Sequence, residues 1–458
     1  MKRTFCAAVA ALGMAGGAYA GTAAGQLGLY TEKAAQAAAA LPAPVAARMQ
    51  AGIKTAASGQ PETAGKEKLK FDFVSKYERR DYIAKASLWV PEAELNTAAL
   101  DFRQTPFKRP WYQPEELVDC KYIPMAAAYA EGKPNGATPK FKCEDAKGRK
   151  LKVKYGLEDG EVYTEVAATW IMTAIGAYAD KMYPVRLNCP DCPSDPFESE
   201  EDRGGWANGA KVAVEDKLAE RIENHENSGI GFDEYFRIEN RVEAEALIGL
   251  AHFLKNGDNK AANQALGCLS KDMVRDPADG KVKCLKPIVY LQDTGMAFGA
   301  PGVFSFGKGK MNFDAWADSR VWDDAAECRL YMKTHITCSS LQAVDYSGRD
   351  QHQIGEKARQ LLVRRLSLLS RAQLTDIFTA ARAPEREPRH SAQDWADLFL
   401  RKVAELRDPA GPGNSGTFTC PYDIVPRNSA DLSQSFTGET GYYDTCYPDG
   451  TQYNPYGH

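Results

Sequence analysis

Apolar positions along this chain recur with two periods, and each run predicts an element. From Pro139 to Tyr155 the run Pro-Lys-Phe-Lys-Cys is followed by the polar Glu-Asp-Ala-Lys-Gly-Arg and then by Lys-Leu-Lys-Val-Lys-Tyr. Two alternating runs around a glycine-bearing turn predict a β-hairpin. Val162, Val166, Ile171, Ala174, Ile175 and Tyr178 recur at helical spacing, so a helix is expected over Glu161–Ala179. A short strand follows at Met182–Leu187, and a second long helix is expected over Arg237–Leu254. Pro287 to Leu291 is continuously apolar and runs into Asp293-Thr-Gly295, the pattern of a buried strand entering a turn. Helical periods return over Glu356–Ala381 and Ala392–Arg407. Between these runs, residues 193–232 are acidic and glycine-rich and read as a linker or insert, and Lys255–Asn263 is an unusually polar loop. No internal repeat is visible.

Composition narrows the class. The chain has 458 residues, 44% hydrophobic and 26% charged, which excludes wholesale disorder, a collagen-like repeat and a polytopic membrane protein. Its first twenty residues carry a basic start at Lys2 and Arg3, an apolar stretch from Phe5 to Met14 and an Ala18-Tyr19-Ala20 cleavage site. This is the form of a secretory signal peptide, so export to a periplasmic or extracellular space is expected. No later stretch reaches the roughly 18 apolar residues of a membrane span, so no integral membrane segment is expected in the mature form. Loss of Lys2 and Arg3 takes the net charge from −4 to −6, and no basic patch for nucleic acid appears.

Removal of Cys6 leaves cysteines 120, 143, 189, 192, 268, 284, 328, 338, 420 and 446. In an exported chain such an even set reads as a disulfide framework, of which sequential pairing is the simplest connectivity. Cys189-Pro-Asp-Cys192 also admits a redox or half-zinc reading, although Pro190, Pro193 and Pro196 place it on a loop rather than a helix start. The organisation expected is a signal peptide (1–20), an Ala-rich leader (21–66), a sheet-rich lobe (67–192), a linker or insert (193–232), a helical lobe (233–408) and an aromatic, Gly- and Pro-rich tail (409–458).

The chemistry-bearing residues gain meaning from their order. Lys152 and Lys154 share one face of a strand, because Leu151, Val153 and Tyr155 point the other way. Glu165 follows in the first turns of the next helix. Then come Asp258 and Asn263, five positions apart on the polar loop, and Asp293 after the apolar strand. A strand lysine, a helix glutamate, an Asp-x-x-x-x-Asn loop and an Asp-x-Gly turn in this order resemble the protein-kinase-like superfamily. The resemblance is stronger to its atypical secretory-pathway and HipA-like members. It implies an α+β, bilobed, disulfide-stapled fold with a small sheet-rich lobe and a larger helical lobe.

The same resemblance implies ATP as phosphoryl donor, with Mg2+ or Mn2+, and a hydroxyl-bearing acceptor on a protein, sugar or small molecule. Lys154 would hold the nucleotide phosphates, with Lys152 as the alternative, and Glu165 would pair with it. Asp258 would accept the hydroxyl proton, and Asn263 and Asp293 would bind the metal. Gly132-Lys-Pro-Asn-Gly136-Ala-Thr138 would stand in for the phosphate-covering loop, which adds Gly136 and Thr138 to the nucleotide site. The chain differs from the family pattern in Thr294 where phenylalanine is usual, in Asn256-Gly257 before Asp258, and in lacking a G-x-G-x-x-G. A non-catalytic envelope protein, whether a pseudokinase or an unrelated disulfide-stapled domain, and a nucleotidyl transferase on the same fold are the alternatives. His252, at the end of an apolar helix, reads as a packed or capping histidine or as a buttress of the loop.

Overall fold

The alternation over Pro139–Tyr155 forms the centre of a closed five-stranded barrel. The computed structural model describes residues 69–134, 136, 138–202, 206–225, 229–257, 261–299, 309–331, 335–336, 343–344, 353–411 and 418–426. The expected signal peptide and leader, Asp258, Cys338, Cys446 and residues 427–458 lie outside the described residues. Strands β1 (Leu117–Ile123), β2 (Lys140–Asp145), β3 (Lys150–Lys154), β4 (Lys181–Cys189) and β5 (Trp206–Asp216) follow the order β1-β2-β3-β5-β4, and β4 pairs in parallel with β1 to close the ring. Register explains why both faces are populated as they are. Phe141, Val153, Val214 and Tyr183 are successive cross-strand partners, all fully buried, while the neighbouring row is Lys140, Lys154, Ala213 and Pro184. Because side chains alternate between faces, the second row points away from the apolar one.

Helix α1 (Lys76–Lys85) precedes the barrel, and its Ser75 and Glu78 form a reciprocal capping box. Between β3 and β4 the chain forms helix α2 (Glu161–Ile175), buried at every residue but Thr173, as a helix enclosed on all sides must be. It ends four residues earlier than expected, because Gly176 adopts a left-handed φ of 82° and its N–H satisfies the last carbonyls. A Cβ there would lie 2.8 Å from Leu95 and 2.9 Å from Arg365, so the stop also needs the missing side chain. The reading of 193–232 as a linker or insert is corrected: it contains β5, which pairs with both β3 and β4. Its acidic and glycine-rich flanks masked the buried alternation of Val212 and Val214.

Beyond β5 come β6 (Glu220–Arg221), helix α3 (Arg241–Phe253), β7 (Gln264–Cys268), the hairpin of β8 (Met273–Arg275) and β9 (Val282–Cys284), and β10 (Pro287–Leu291). Strands β10, β7 and β6 form a second sheet, with Leu291 opposite Gln264. The helical part comprises α4 (Phe313–Asp318), α5 (Glu356–Leu366), α6 (Arg371–Ala380) and α7 (Ala392–Arg407). The single helix expected over Glu356–Ala381 is two, since Ser370 caps a new start with Gln373. Phe298, Trp316, Phe378 and Trp395 fill its core, with ring centroids 5.1–6.4 Å apart along the edges from Phe298. The fold is therefore α+β, sheet-rich first and helical after.

Among the described residues four disulfides staple it: Cys120–Cys143, Cys189–Cys192, Cys268–Cys284 and Cys328–Cys420. Sequential pairing holds for the first three and fails for the fourth. Cys420 reaches back over 92 positions, because the segment around it docks on the start of α5, where Tyr422 and Asp423 carbonyls accept the N–H groups of Glu356 and Lys357. Cys189 and Cys192 are both fully buried in their disulfide, which favours its structural reading over a redox or zinc one.

Candidate functional site

The site is built where the lysine row of the barrel meets the start of α2. Lys154, the last residue of β3, is 1% exposed, and its ammonium donates to Glu165 Oε1 at 2.5 Å and to Glu161 Oε1 at 2.9 Å. Both glutamates lie on one face of α2, one turn apart. Lys152 takes a different path. It is the cross-strand partner of Glu215 on β5 and bonds to it at 2.6 Å. Of the two lysines, Lys154 is the one that meets Glu165, and Lys152 meets Glu215.

Asp293 enters from the other side, just after β10. Its Oδ1 accepts the Gly295 N–H at 3.0 Å, and Thr164 on α2 donates to the Gly295 carbonyl at 2.9 Å. This locks the Asp-Thr-Gly turn to the helix. A Cβ on Gly295 would sit 2.4 Å from Glu161 Cγ, so only glycine lets the turn approach this closely. One carboxylate oxygen each from Glu161, Glu165 and Asp293 lies within 4.8 Å of the others. Asn263 ends a short 3-10 turn, and its main-chain carbonyl accepts the N–H groups of Gln292 at 2.9 Å and Asp293 at 3.3 Å.

The loop before β2 closes the top of the cluster. Thr138 is buried and its hydroxyl bonds to Glu161 and to Asp159, at 2.7 Å from the latter. It is therefore a partner of the acidic groups in this structure. Gly136 has a left-handed φ of 90°, and a Cβ there would lie 3.1 Å from the Lys140 ammonium. Lys310 arrives from the chain beyond the Asp-Thr-Gly turn and bonds to Asp159 at 2.9 Å and to Glu161 at 3.0 Å.

These neighbours set the protonation states. Burial opposes charge on Lys154, but Glu165 and Glu161 outweigh it and hold its pKa well above the ordinary value. Burial likewise opposes charge on Glu161, yet Lys154 and Lys310 together hold its carboxyl well below the usual range. Glu165 is left with the worse position. Burial raises it to about 8 against the pull of Lys154, with Glu161 and Asp293 adding repulsion. On Lys140, burial and then the charges of Lys154 and Lys152 lower the pKa. His252 is buried on α3 with Nδ1 2.9 Å from the Ile248 carbonyl, and burial lowers it to about 4, as for a packed histidine.

The structure thus brings together Lys154, Glu165, Asp293, Thr138 and the backbone of Asn263, and sets Lys152 on Glu215. Asp258 lies outside the described residues. Sequence reasoning missed Glu161, Lys140, Asp159 and Lys310. The first was legible as an acid four positions before Glu165, and Lys140 as a member of the same alternating lysine row; Lys310 carried no local signal.

No protein-family model matches the chain, and no curated protein matches its sequence. A proinflammatory kinase of Helicobacter pylori, CtkA, is similar in structure. The crystal structure of that kinase matches with a TM-score of 0.33 and 11% identity, over 63% of this chain and 99% of the other. At that score the likeness bears no weight.

Proposed function

We propose that this chain is an exported, metal-dependent phosphotransferase that moves the terminal phosphoryl group of ATP to a hydroxyl on a protein, sugar or small molecule. The observation that carries the reading is the fully buried Lys154–Glu165 pair, with the Asp293 carboxylate within 4.8 Å of the Glu165 carboxylate. Phosphoryl transfer is mainly positioning and charge neutralisation, which a fixed lysine and an oxygen-ligated cation supply. In this reading Glu165 orients Lys154 toward the phosphates, and Asp258 takes the proton of the acceptor hydroxyl.

The residues fit a hard divalent cation. The convergent donors are the carboxylate oxygens of Glu161, Glu165 and Asp293, and Glu165 Oε2 is buried with no hydrogen-bond partner among the described residues. Mg2+, or Mn2+ in its place, would be held by Asp293 and Asn263, and when bound would offset the negative charge of the triphosphate. Four disulfides among the described residues support an oxidising compartment, in keeping with the signal-like first twenty residues. Among the described residues no helix is long and apolar enough to cross a membrane.

The test is magnesium-dependent ATP binding by the purified chain, followed by ATP turnover. Binding that is lost on Asp293→Ala is expected; ATP binding that ignores both magnesium and this substitution refutes the reading. A non-catalytic nucleotide-binding role is the second reading, favoured by one observation: Lys154 is already shared between two carboxylates. Binding without turnover in the same experiment would select it.

A further inference from the structure

We infer that Lys140 is a second phosphate-binding cation of this site, paired with Lys154 to hold the polyphosphate chain of a nucleoside triphosphate; this rests on the nucleotide reading above. Lys140 opens β2 and is the direct cross-strand partner of Lys154 on β3. Like charges placed opposite one another on a sheet face repel. Lys140 is also 9% exposed, which raises the cost of keeping a charge there.

Its register places it. As the cross-strand partner of Lys154, Lys140 shares the barrel face on which Lys154 meets Glu161 and Glu165, the carboxylates that converge with Asp293. The charges of Lys154 and Lys152, and of Glu161 and Asp293, all act on it there. Gly136 brings the loop before β2 to within 3.1 Å of the ammonium, measured from the position its Cβ would take. The absent side chain leaves that approach open. Two adjacent lysines beneath a glycine, with the metal-ligand candidate Asp293 beside them, match a chain of phosphates better than a single phosphate. A charge-assisted hydrogen bond from a second ammonium is the interaction a longer phosphate chain would gain.

The experiment is titration calorimetry of the full chain with Mg-ATP and with AMP, alongside thermal melting. For Lys140→Gln, Mg-ATP affinity falls by about tenfold while AMP affinity is unchanged, and Lys140→Arg restores most of the loss. Gly136→Asp keeps Lys140 and places a competing carboxylate near its ammonium, so it weakens Mg-ATP relative to Gly136→Asn; this pair serves if Lys140→Gln does not fold. An unchanged ATP affinity in Lys140→Gln, an equal loss for ATP and AMP, or identical Asp and Asn variants at position 136 would each overturn the assignment. Wild-type protein that binds no Mg-ATP instead overturns the phosphotransferase reading, and this assignment falls with it.

Discussion

Replacing Glu165 with glutamine tests the electrostatic account of the site most directly. In the ordinary view of a salt bridge, removing the carboxylate next to Lys154 destabilises the protein more at neutral pH than in acid. The structure requires the opposite. Lys154 has two carboxylate partners, and Glu161 has a second lysine in Lys310, so Glu161 keeps its charge and Glu165 ionises last. Its folded pKa of about 8 stands above its ordinary 4.5. A group raised in this way binds a proton in the folded state that the unfolded chain has released. Its stabilising contribution is complete below about pH 4.5 and is lost progressively as pH rises to about 8. At about 1.4 kcal/mol per pH unit, the loss is on the order of 5 kcal/mol. Glutamine keeps the shape and does not titrate. Urea unfolding of both proteins between pH 4.5 and 9 should therefore give nearly equal stability in acid and an advantage for Glu165→Gln that grows toward pH 8. A difference that is flat with pH, or that favours the wild type more at pH 8 than at pH 5, would refute the reasoning.

Three further outcomes follow from the same geometry. Thr294 is buried and its hydroxyl has no hydrogen-bond partner among the described residues, so Thr294→Val should raise stability by about 1 kcal/mol, read as a higher Tm. Gly295→Ala drives a Cβ to 2.4 Å from Glu161 Cγ; both Mg-ATP binding and Tm should fall, and an unaffected variant would show that the turn does not sit against α2. Cys328→Ser combined with Cys420→Ser opens a link across 92 positions, which should cost about 4 kcal/mol in denaturant unfolding while Mg-ATP affinity at low temperature is retained.

What the sequence by itself determined was local. The hairpin of β2 and β3, the apolar strand β10 with its Asp-Thr-Gly turn, and α7 from Ala392 to Arg407 were legible, because backbone geometry imposes a period of two or 3.6 on residues a few positions apart. The same rule placed Lys152 and Lys154 on one face and Glu165 near the start of the next helix. It failed at β5, where glycine and acidic residues surround the alternating valines. It also split no helix at Ser370, because a capping box inside an apolar period is outweighed by the period itself. Tertiary structure alone decided which charges meet. Pairing of β3 with the distant β5 put Lys152 on Glu215 and left Lys154 to α2. Lys310 was delivered to Glu161 from 149 positions away, and Cys420 to Cys328 from 92. Such partners are chosen by packing of distant segments, and no period along the chain encodes a separation of that length. The candidate residues were thus written locally, whereas their pairing, burial and protonation are properties of the closed fold.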